Sequence, residues 1–361
     1  MKRAINFNAG PAAIPQEVLE KAQEEMLDWK GTGMSVMEVS HRSKEYEEMH
    51  NHAQASFKEL AGMGEGWKIL LLSGGANTQF SLIPMNFIPE GGSADYLVTG
   101  HWSKTAVKEA KRYGQINTIT SEKDGVFRSI LKQSDIKLDP KASYAHMTSN
   151  NTIFGTQWQY WPEVGKAPLV ADMSSDIFSR PFPADKFSLI YAGAQKNLGP
   201  SGVIVVAVKE DFLAKAKEDL PSMLSYKVHA ANNSLFNTPP CFSIYMLDLT
   251  LDWIKKMGGL AGMQKINEEK ARALYEAIDS SGGYYNCPVD KDARSRMNVV
   301  FRLGSEELEE KFVKEAKAAG IIGVKGHRSV GGIRFSIYNA NLVANVKISA
   351  DFMRDFRKRN G

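Results

Sequence analysis

The chain has 361 residues, 43% hydrophobic and 24% charged, a balance that excludes a disordered polypeptide and supports a large core divided over two domains. Its formal charge of +4 is small for this length and no run of five or more basic residues occurs, which argues against a nucleic-acid or membrane-surface partner. Two cysteines, Cys241 and Cys287, form neither a disulfide framework nor a metal-ligand pattern, and no stretch of about 18 uninterrupted apolar residues exists for a membrane span.

The opening residues, Met1 to Asn8, lack an apolar signal core, so a reducing cytoplasm is the expected location. Residues 4–14 read as an irregular lead-in. Pro15 then opens a helical pattern with Val18, Ala22, Met26 and Trp29 on one face and Gly31 and Gly33 as its stop. A loop carries His41 and Arg42 to the start of an amphipathic helix whose stripe is Tyr46, Met49, Ala53 and Leu60. Two cations at a helix start oppose its macrodipole by about 0.3–1 kcal/mol each, so they are either a solvated pair or a device for holding an anion. Lys68–Leu72 is a short strand, and Ser73-Gly-Gly-Ala-Asn-Thr78 turns into a helix from about Gln79. Such a turn either joins strand to helix or offers backbone N–H groups to a phosphate; it is neither a Walker sequence nor Gly-x-Gly-x-x-Gly. Ala94–Val98 is the next strand, followed by Trp102 and a helix from about Lys104 to Tyr113, the indole being either core or a stacking surface. Another strand from Ser143 ends in the polar cluster Ser149-Asn-Asn-Thr152, a turn by composition whose Thr152 hydroxyl can also bond a ligand oxygen.

Pro168-Leu-Val-Ala-Asp172 is an apolar strand ending in a carboxylate, and Phe187–Ala194 is one that delivers Gln195 and Lys196 into the turn Asn197–Ser201. That turn is too short for a parallel crossover. Gly202–Val208 must therefore pair antiparallel with Phe187–Ala194 within an otherwise mostly parallel sheet. Strand ends near residues 73, 99, 150, 172 and 195 then bring polar groups to one edge, as the carboxyl ends of open α/β sheets do. A lysine at a strand end among small residues is either a solvated turn residue or, if positioned and partly desolvated, an amine nucleophile of the Schiff-base kind. Asp172 is either a cap for the next turn of chain or an acidic partner for a cationic ring nitrogen.

Residues 210–218 read as helical, 221–236 as a polar loop, and Phe242 to Met257 as a helix entered through Asn237-Thr-Pro-Pro240. Gly258–Gly262 is the clearest boundary, dividing a large domain, 16–258, from a smaller α+β one, 259–361 together with 1–15. The smaller one reads as a helix from Met263 to about Ser280, a strand Asn298–Arg302, a helix Glu306–Ala319, a strand Gly332–Tyr338 and a closing helix to about Lys358. Glycine flanks around His327-Arg328 suit a loop that wraps an anion. Arg334 reads either as an exposed strand residue or as a planar fork for a carboxylate.

Ala171-Asp-Met-Ser-Ser-Asp176 and Tyr191-Ala-Gly-Ala-Gln-Lys-Asn-Leu-Gly-Pro-Ser-Gly202 resemble the ring-nitrogen and lysine motifs of the phosphoserine aminotransferases, class V pyridoxal phosphate (PLP) enzymes of fold type I. Asn151-Thr-Ile-Phe-Gly-Thr156 and Gly326-His-Arg-Ser-Val-Gly-Gly-Ile-Arg334 resemble further segments of that family, and the similarity runs from Asn6-Phe-Asn-Ala-Gly-Pro-Ala12 to Ile337-Tyr-Asn-Ala340. The resemblance implies an α/β fold, a mostly parallel sheet flanked by helices with one antiparallel strand, beside a smaller α+β C-terminal domain. It implies a homodimer with shared active sites, and ping-pong transamination between O-phospho-L-serine with 2-oxoglutarate and 3-phosphohydroxypyruvate with L-glutamate. Lys196 would carry PLP as a Schiff base and then move the substrate's proton as general base and acid, while Asp172 keeps the ring an electron sink.

By the same resemblance Ala76 and Asn77 are backbone donors to the cofactor phosphate, Trp102 stacks on its ring, Thr152 bonds its phenolic oxygen, and Gln195 lies beside it. Asn237 and Thr238 reach the partner's cofactor phosphate. Arg334 takes the α-carboxylate, and His41, Arg42, His327 and Arg328 supply charge for the substrate's phosphate or for glutamate's side chain. Some relatives carry arginine at the position of Asn77, so only its backbone contact is implied. No metal is implied. Two alternatives stay open: another PLP reaction, such as a desulfurase, although neither cysteine lies in a Gly/Ser-rich loop; and a non-enzymatic module holding a nucleotide phosphate at Gly74-Gly75.

Overall fold

The structure, a computed structural model, describes residues 3–361; Met1 and Lys2, which open the N-terminal stretch grouped above with the smaller domain, lie outside the described residues. The strands in chain order are β1 (Ile5–Asn6), β2 (Trp67–Gly74), β3 (Ser93–Val98), β4 (Gln115–Thr120), β5 (Ala145–Thr148), β6 (Leu169–Asp172), β7 (Leu189–Gly193), β8 (Gly202–Lys209), β9 (Asn298–Phe301), β10 (Ile321–Ile322) and β11 (Ile333–Ser336). Seven of them form one sheet in the order β2-β8-β7-β6-β5-β3-β4. β8 runs antiparallel to both of its neighbours and the remaining pairs are parallel, as the short turn after Lys196 requires. The central strands are unbroken apolar runs because both faces are covered: Val203, Val205 and Ala207 join one core, while Ile204, Val206 and Val208 join the other. Helices Lys44–Ala61 and Cys241–Lys256 build the first core, and Ala76–Phe87 and His101–Ala110 the second.

A third core gathers Phe301, Phe312, Phe335 and Met353 around the antiparallel pair β9–β11 and the helices Gly259–Asp279 and Val343–Asn360. Phe7 belongs to this core, since β1 pairs in parallel with β10 and carries the N-terminal lead-in onto it.

Several local readings change. The first helix is Gln16–Glu24, and Trp29 sits in a separate single turn, 29–31, because Lys30 takes φ 54°. The helices expected from Gln79 and Lys104 begin at Ala76 and His101, since the Gly75 and Gly100 carbonyls already accept the first helical bonds from Gln79 and Lys104. Of residues 210–218 only Glu210–Leu213 is helical. The stretch expected to be loop contains the helix Tyr226–Ala231, capped by the Ser225 hydroxyl. Helix Gly259–Asp279 starts inside the glycine cluster, with Gly258 at φ 89°. Its Gly262 approaches the preceding helix so closely that a Cβ there would lie 2.0 Å from the Met257 carbonyl oxygen. β4 escaped notice because Gln-Ile-Asn-Thr-Ile-Thr is a sheet edge with four exposed residues. Among the described residues no helix is long and apolar enough to cross a membrane.

Candidate active site

The carboxyl ends of β2, β3, β5, β6 and β7 open onto a cavity of about 440 Å³, closed on its far side by β11 and by the lead-in at Ala9 and Gly10. Each strand contributes through the turn that ends it. β2 leaves through Gly74, at φ 117°, where a Cβ would meet Thr78 Oγ1 at 2.9 Å. Gly75 then caps helix Ala76–Phe87 without a side chain. The N–H groups of Ala76 and Asn77 have no acceptor within the helix and meet the cavity at the positive end of its dipole. After β3, Trp102 lies in the first turn of helix His101–Ala110 rather than in a loop before it, and its Nε1 is buried without a partner. Thr148, at the end of β5, likewise has a buried hydroxyl with no partner.

Lys196 follows β7 and donates from Nζ to Thr152 Oγ1 at 2.8 Å. Its amine is lowered to about 8, first by burial, with the Arg334 charge assisting and Asp172 and Asp176 opposing. The side chain keeps some exposure to the cavity, so solvent screens part of these effects. Gly10 crosses directly over it, leaving room for a Cβ only 3.4 Å from Lys196 Cγ, and the Gln195 carbonyl accepts from Ala12 N at 2.9 Å. Asp172, at the end of β6, is 4% exposed and accepts from Ser174 N at 2.9 Å. Burial raises its carboxyl above the ordinary range, while the Ser174 bonds and the Lys196 charge pull it back. Arg334 lies mid-strand in β11, 9% exposed, with Nε buried and unpartnered, and burial lowers it. His327 is lowered by burial first and then by the charges of Arg334, His101 and Arg328.

Beneath the cavity, polar side chains hold the two sheets together. Asn150 Nδ2 donates to Ser175 Oγ and to Asn298 Oδ1, each at 2.8 Å, and Asn298 Nδ2 donates to Ser336 Oγ at 3.0 Å. Tyr338 bonds the Ala9 carbonyl at 2.7 Å. Sequence reading did not find these residues: the Asn150–Asn298 bond spans 148 positions, and each residue alone reads as an ordinary turn or strand polar group.

Of the expected site residues, Ala76, Asn77, Trp102, Thr152, Asp172, Gln195, Lys196, His327 and Arg334 line this one cavity. His41, Arg42, Arg328, Asn237 and Thr238 do not line it. Arg42, Arg328 and Thr238 are exposed, and His41 Nε2 is buried without a partner. Cys241 and Cys287 also lie outside the cavity, and burial pushes both thiols up. Among the described residues no group of three His, Cys, Asp or Glu side chains could hold a metal ion.

An uncapped helix start suits a phosphate, a buried carboxylate suits a protonated ring nitrogen, and a lowered lysine amine beside both suits an aldehyde. The unpartnered Trp102 and Thr148 atoms mark room between them. Together with the sheet topology these groups define a Schiff-base transferase of the α/β class, and PLP fits the donor set.

The class-V aminotransferase family model matches residues 4–348. Phosphoserine aminotransferases from Herpetosiphon aurantiacus and Niallia circulans are 53% and 52% identical, over 99% and 100% of this chain and 99% of each of theirs. The solved phosphoserine aminotransferase of Bacillus circulans subsp. alkalophilus superposes with TM-score 0.98 at 52% identity, covering both chains fully. That of Trichomonas vaginalis, solved with PLP bound, gives 0.93 at 40% identity over 98% of this chain and 100% of its own. The chain belongs to the class-V aminotransferases and, within them, to the phosphoserine aminotransferase family.

Proposed function

We propose that the protein is a PLP-dependent transaminase of serine biosynthesis, exchanging the amino group between O-phospho-L-serine and 2-oxoglutarate to give 3-phosphohydroxypyruvate and L-glutamate. The observation that carries this reading is Lys196: an amine lowered to about 8, bonded to Thr152 and within the field of Asp172, opposite the uncapped start of helix Ala76–Phe87. PLP, when bound, supplies the electron sink that lets a substrate Cα–H bond ionise. Ala76 and Asn77 would hold its phosphate by backbone N–H groups, Asp172 would hold a proton on its ring nitrogen, and Thr152, Gln195 and Trp102, which line the same cavity, would border it. Lys196 would attach it and, once displaced by the substrate amine, would move the proton between the substrate Cα and the cofactor's C4′ carbon as general base and acid. Arg334 orients the α-carboxylate in bidentate fashion, which fixes the Cα–H bond relative to Lys196. His327 and Arg328 supply charge for the phosphate or distal carboxylate.

His41, Arg42, Asn237 and Thr238 serve the same site from a second copy, so the working unit is a homodimer. Supporting this are exposed apolar side chains close to them in sequence, Met37 at 57% and Phe236 at 44%. Two free cysteines accord with a cytoplasmic location. The division at residue 258, with the N-terminal lead-in joining the smaller domain, is supported by the separate aromatic core to which Phe7 belongs.

The test is the visible spectrum of the protein with PLP, followed as phosphoserine, glutamate, alanine or cysteine is added. Loss of the visible band with phosphoserine and glutamate alone is the expected result. A band unmoved by phosphoserine overturns the substrate, and the absence of any band overturns the cofactor role of Lys196.

A further inference from the structure

Five buried hydrogen bonds tie together the turns that follow Lys196 and Asp172, the turn that follows the Arg334 strand, and Asn267 of helix Gly259–Asp279. Asn339 is their centre. Its backbone N–H donates to Asn197 Oδ1 at 3.0 Å, its Nδ2 donates to the Phe178 carbonyl at 3.0 Å, and its Oδ1 accepts from Asn267 Nδ2 at 2.8 Å. Asn197 Nδ2 donates in turn to the Ile177 carbonyl at 2.9 Å, and Asn267 Nδ2 to the Ser179 carbonyl at 3.0 Å. Three consecutive carbonyls, 177 to 179, are thus gripped by three asparagines, all of them buried.

Two independent features show that this contact constrains the backbone. Phe178 has φ 57°, a left-handed conformation that a bulky aromatic residue rarely adopts, and one that persists only where its surroundings over-determine it. Its ring is fully buried against Phe57, with centroids 4.6 Å apart, and its carbonyl is the acceptor for Asn339. On the other side of the same turn, the buried Lys270 Nζ shares its three N–H groups among the carbonyls of Tyr338, Asn341, Asn339 and Ile337, at 2.5, 3.0, 3.3 and 3.4 Å. The peptide of Asn339 is therefore fixed from both flanks.

The placement matters because of what lies next in sequence. Asn197 adjoins Lys196, and Asn339 follows Arg334 by five residues, as Ile177 follows Asp172. A carboxylate held by Arg334 presents its Cα to Lys196 only if the two strands keep their spacing, and a displacement of about 1 Å costs on the order of 100-fold in rate. The Asn150–Asn298 bond fixes the two sheets at one point. A second point is needed to fix their angle. We propose that Asn339, acting through Asn197, Phe178 and Asn267, is a positioning residue that sets the spacing between Lys196 and Arg334. This rests on the functional reading above.

The experiment uses the PLP-loaded protein with Asn339→Ala and, separately, Asn267→Ala, each alone and combined with Arg334→Gln. Three quantities are read: the visible band, kcat/KM for phosphoserine and for glutamate, and the dissociation constant of glutarate, a dicarboxylate with no amine or ketone to react. Asn339→Ala should leave the band in place, lower both kcat/KM values by roughly 10–100-fold and weaken glutarate by about tenfold. In the Arg334→Gln background the same change should cost less than about threefold, because a residue that works through Arg334 has nothing further to lose there. Asn267→Ala removes only the outer link and should move the same quantities in the same direction by less, which keeps the test decisive if Asn339→Ala does not fold. Full additivity with Arg334→Gln, or unchanged glutarate binding and kcat/KM in the folded variants, would overturn the proposal. A missing band in the unsubstituted protein would overturn the functional reading and the proposal with it.

Discussion

Lys196 offers the sharpest test of the electrostatic reading, because its amine must be neutral to attack an aldehyde. With its pKa at about 8 against an ordinary 10.5, the neutral fraction at pH 7 is about 9% rather than about 0.03%, a gain of roughly 300-fold. The rate at which the apoprotein captures PLP, followed by stopped-flow absorbance, should rise about tenfold per pH unit below pH 8 and level off above it. The direction of two substitutions is fixed by the same charges. Asp172 raises the lysine, so Asp172→Asn should move the midpoint down, whereas Arg334 lowers it, so Arg334→Gln should move the midpoint up. Burial is the largest cause and neither variant removes it, so both midpoints should remain below that of a solvated lysine. A midpoint near 10.5 in the unsubstituted protein, or a shift of both variants in one direction, would refute the assignment of burial and these two charges as the causes.

Lys270 gives a stability test with a defined sign. Its buried ammonium is lowered to about 7, so between that value and 10.5 the unfolded chain binds the extra proton and stability rises with pH. Urea unfolding of the apoprotein should show the unsubstituted chain gaining about 2 kcal/mol on Lys270→Met between pH 7 and pH 9; parallel profiles would refute the shift. At the phosphate end, Gly74→Ala places a Cβ 2.9 Å from Thr78 Oγ1 at a φ of 117°. The strained turn should cost about 1–3 kcal/mol and weaken PLP about tenfold in a fluorescence titration, and an unchanged dissociation constant would count against that turn as the phosphate cradle.

What the sequence disclosed followed from range. The antiparallel β7–β8 pair was legible because a five-residue turn after Lys196 permits nothing else, and the strands themselves because both faces are buried and every residue of β7 is apolar or glycine. Ala76 and Trp102, expected at the site, line the cavity, yet their helices begin earlier than the apolar pattern suggested. A glycine carbonyl can open a helix before the first residue of the buried stripe arrives. β4, polar and exposed, had no period to detect, and β1 is two residues long and acquires meaning only from its pairing with β10. The asparagines that fix the site were invisible for a related reason. Asn150, Asn197, Asn298 and Asn339 each bond across more than 20 positions, and nothing near any of them in sequence distinguishes a buried bridge from a surface turn.

Three of the five expected residues that stand outside the cavity, His41, Arg42 and Arg328, are explained by counting charge. On the proposed reading the site must hold the cofactor's phosphate, a substrate phosphate carrying about −1.5 to −2, and an α-carboxylate. Against these a single chain lines its cavity with Arg334, a Lys196 whose amine is lowered, and a His327 whose burial and charged neighbours disfavour its charged form. Asp172 and the proton that it would hold on the ring nitrogen offset each other and leave the balance unchanged. One helix start contributes about half a charge at most. The deficit amounts to more than one cation. The cations that sequence reading singled out and this cavity lacks are Arg328, on the glycine loop beside His327, and the pair His41 and Arg42, beside exposed Met34 and Met37. A glycine loop can bring the first within one chain. The pair stands in a segment of chain that also exposes Met34 and Met37, and a second copy meeting that segment is the economical way to bring it in, so the charge balance of the reaction and the proposed dimer rest on the same residues.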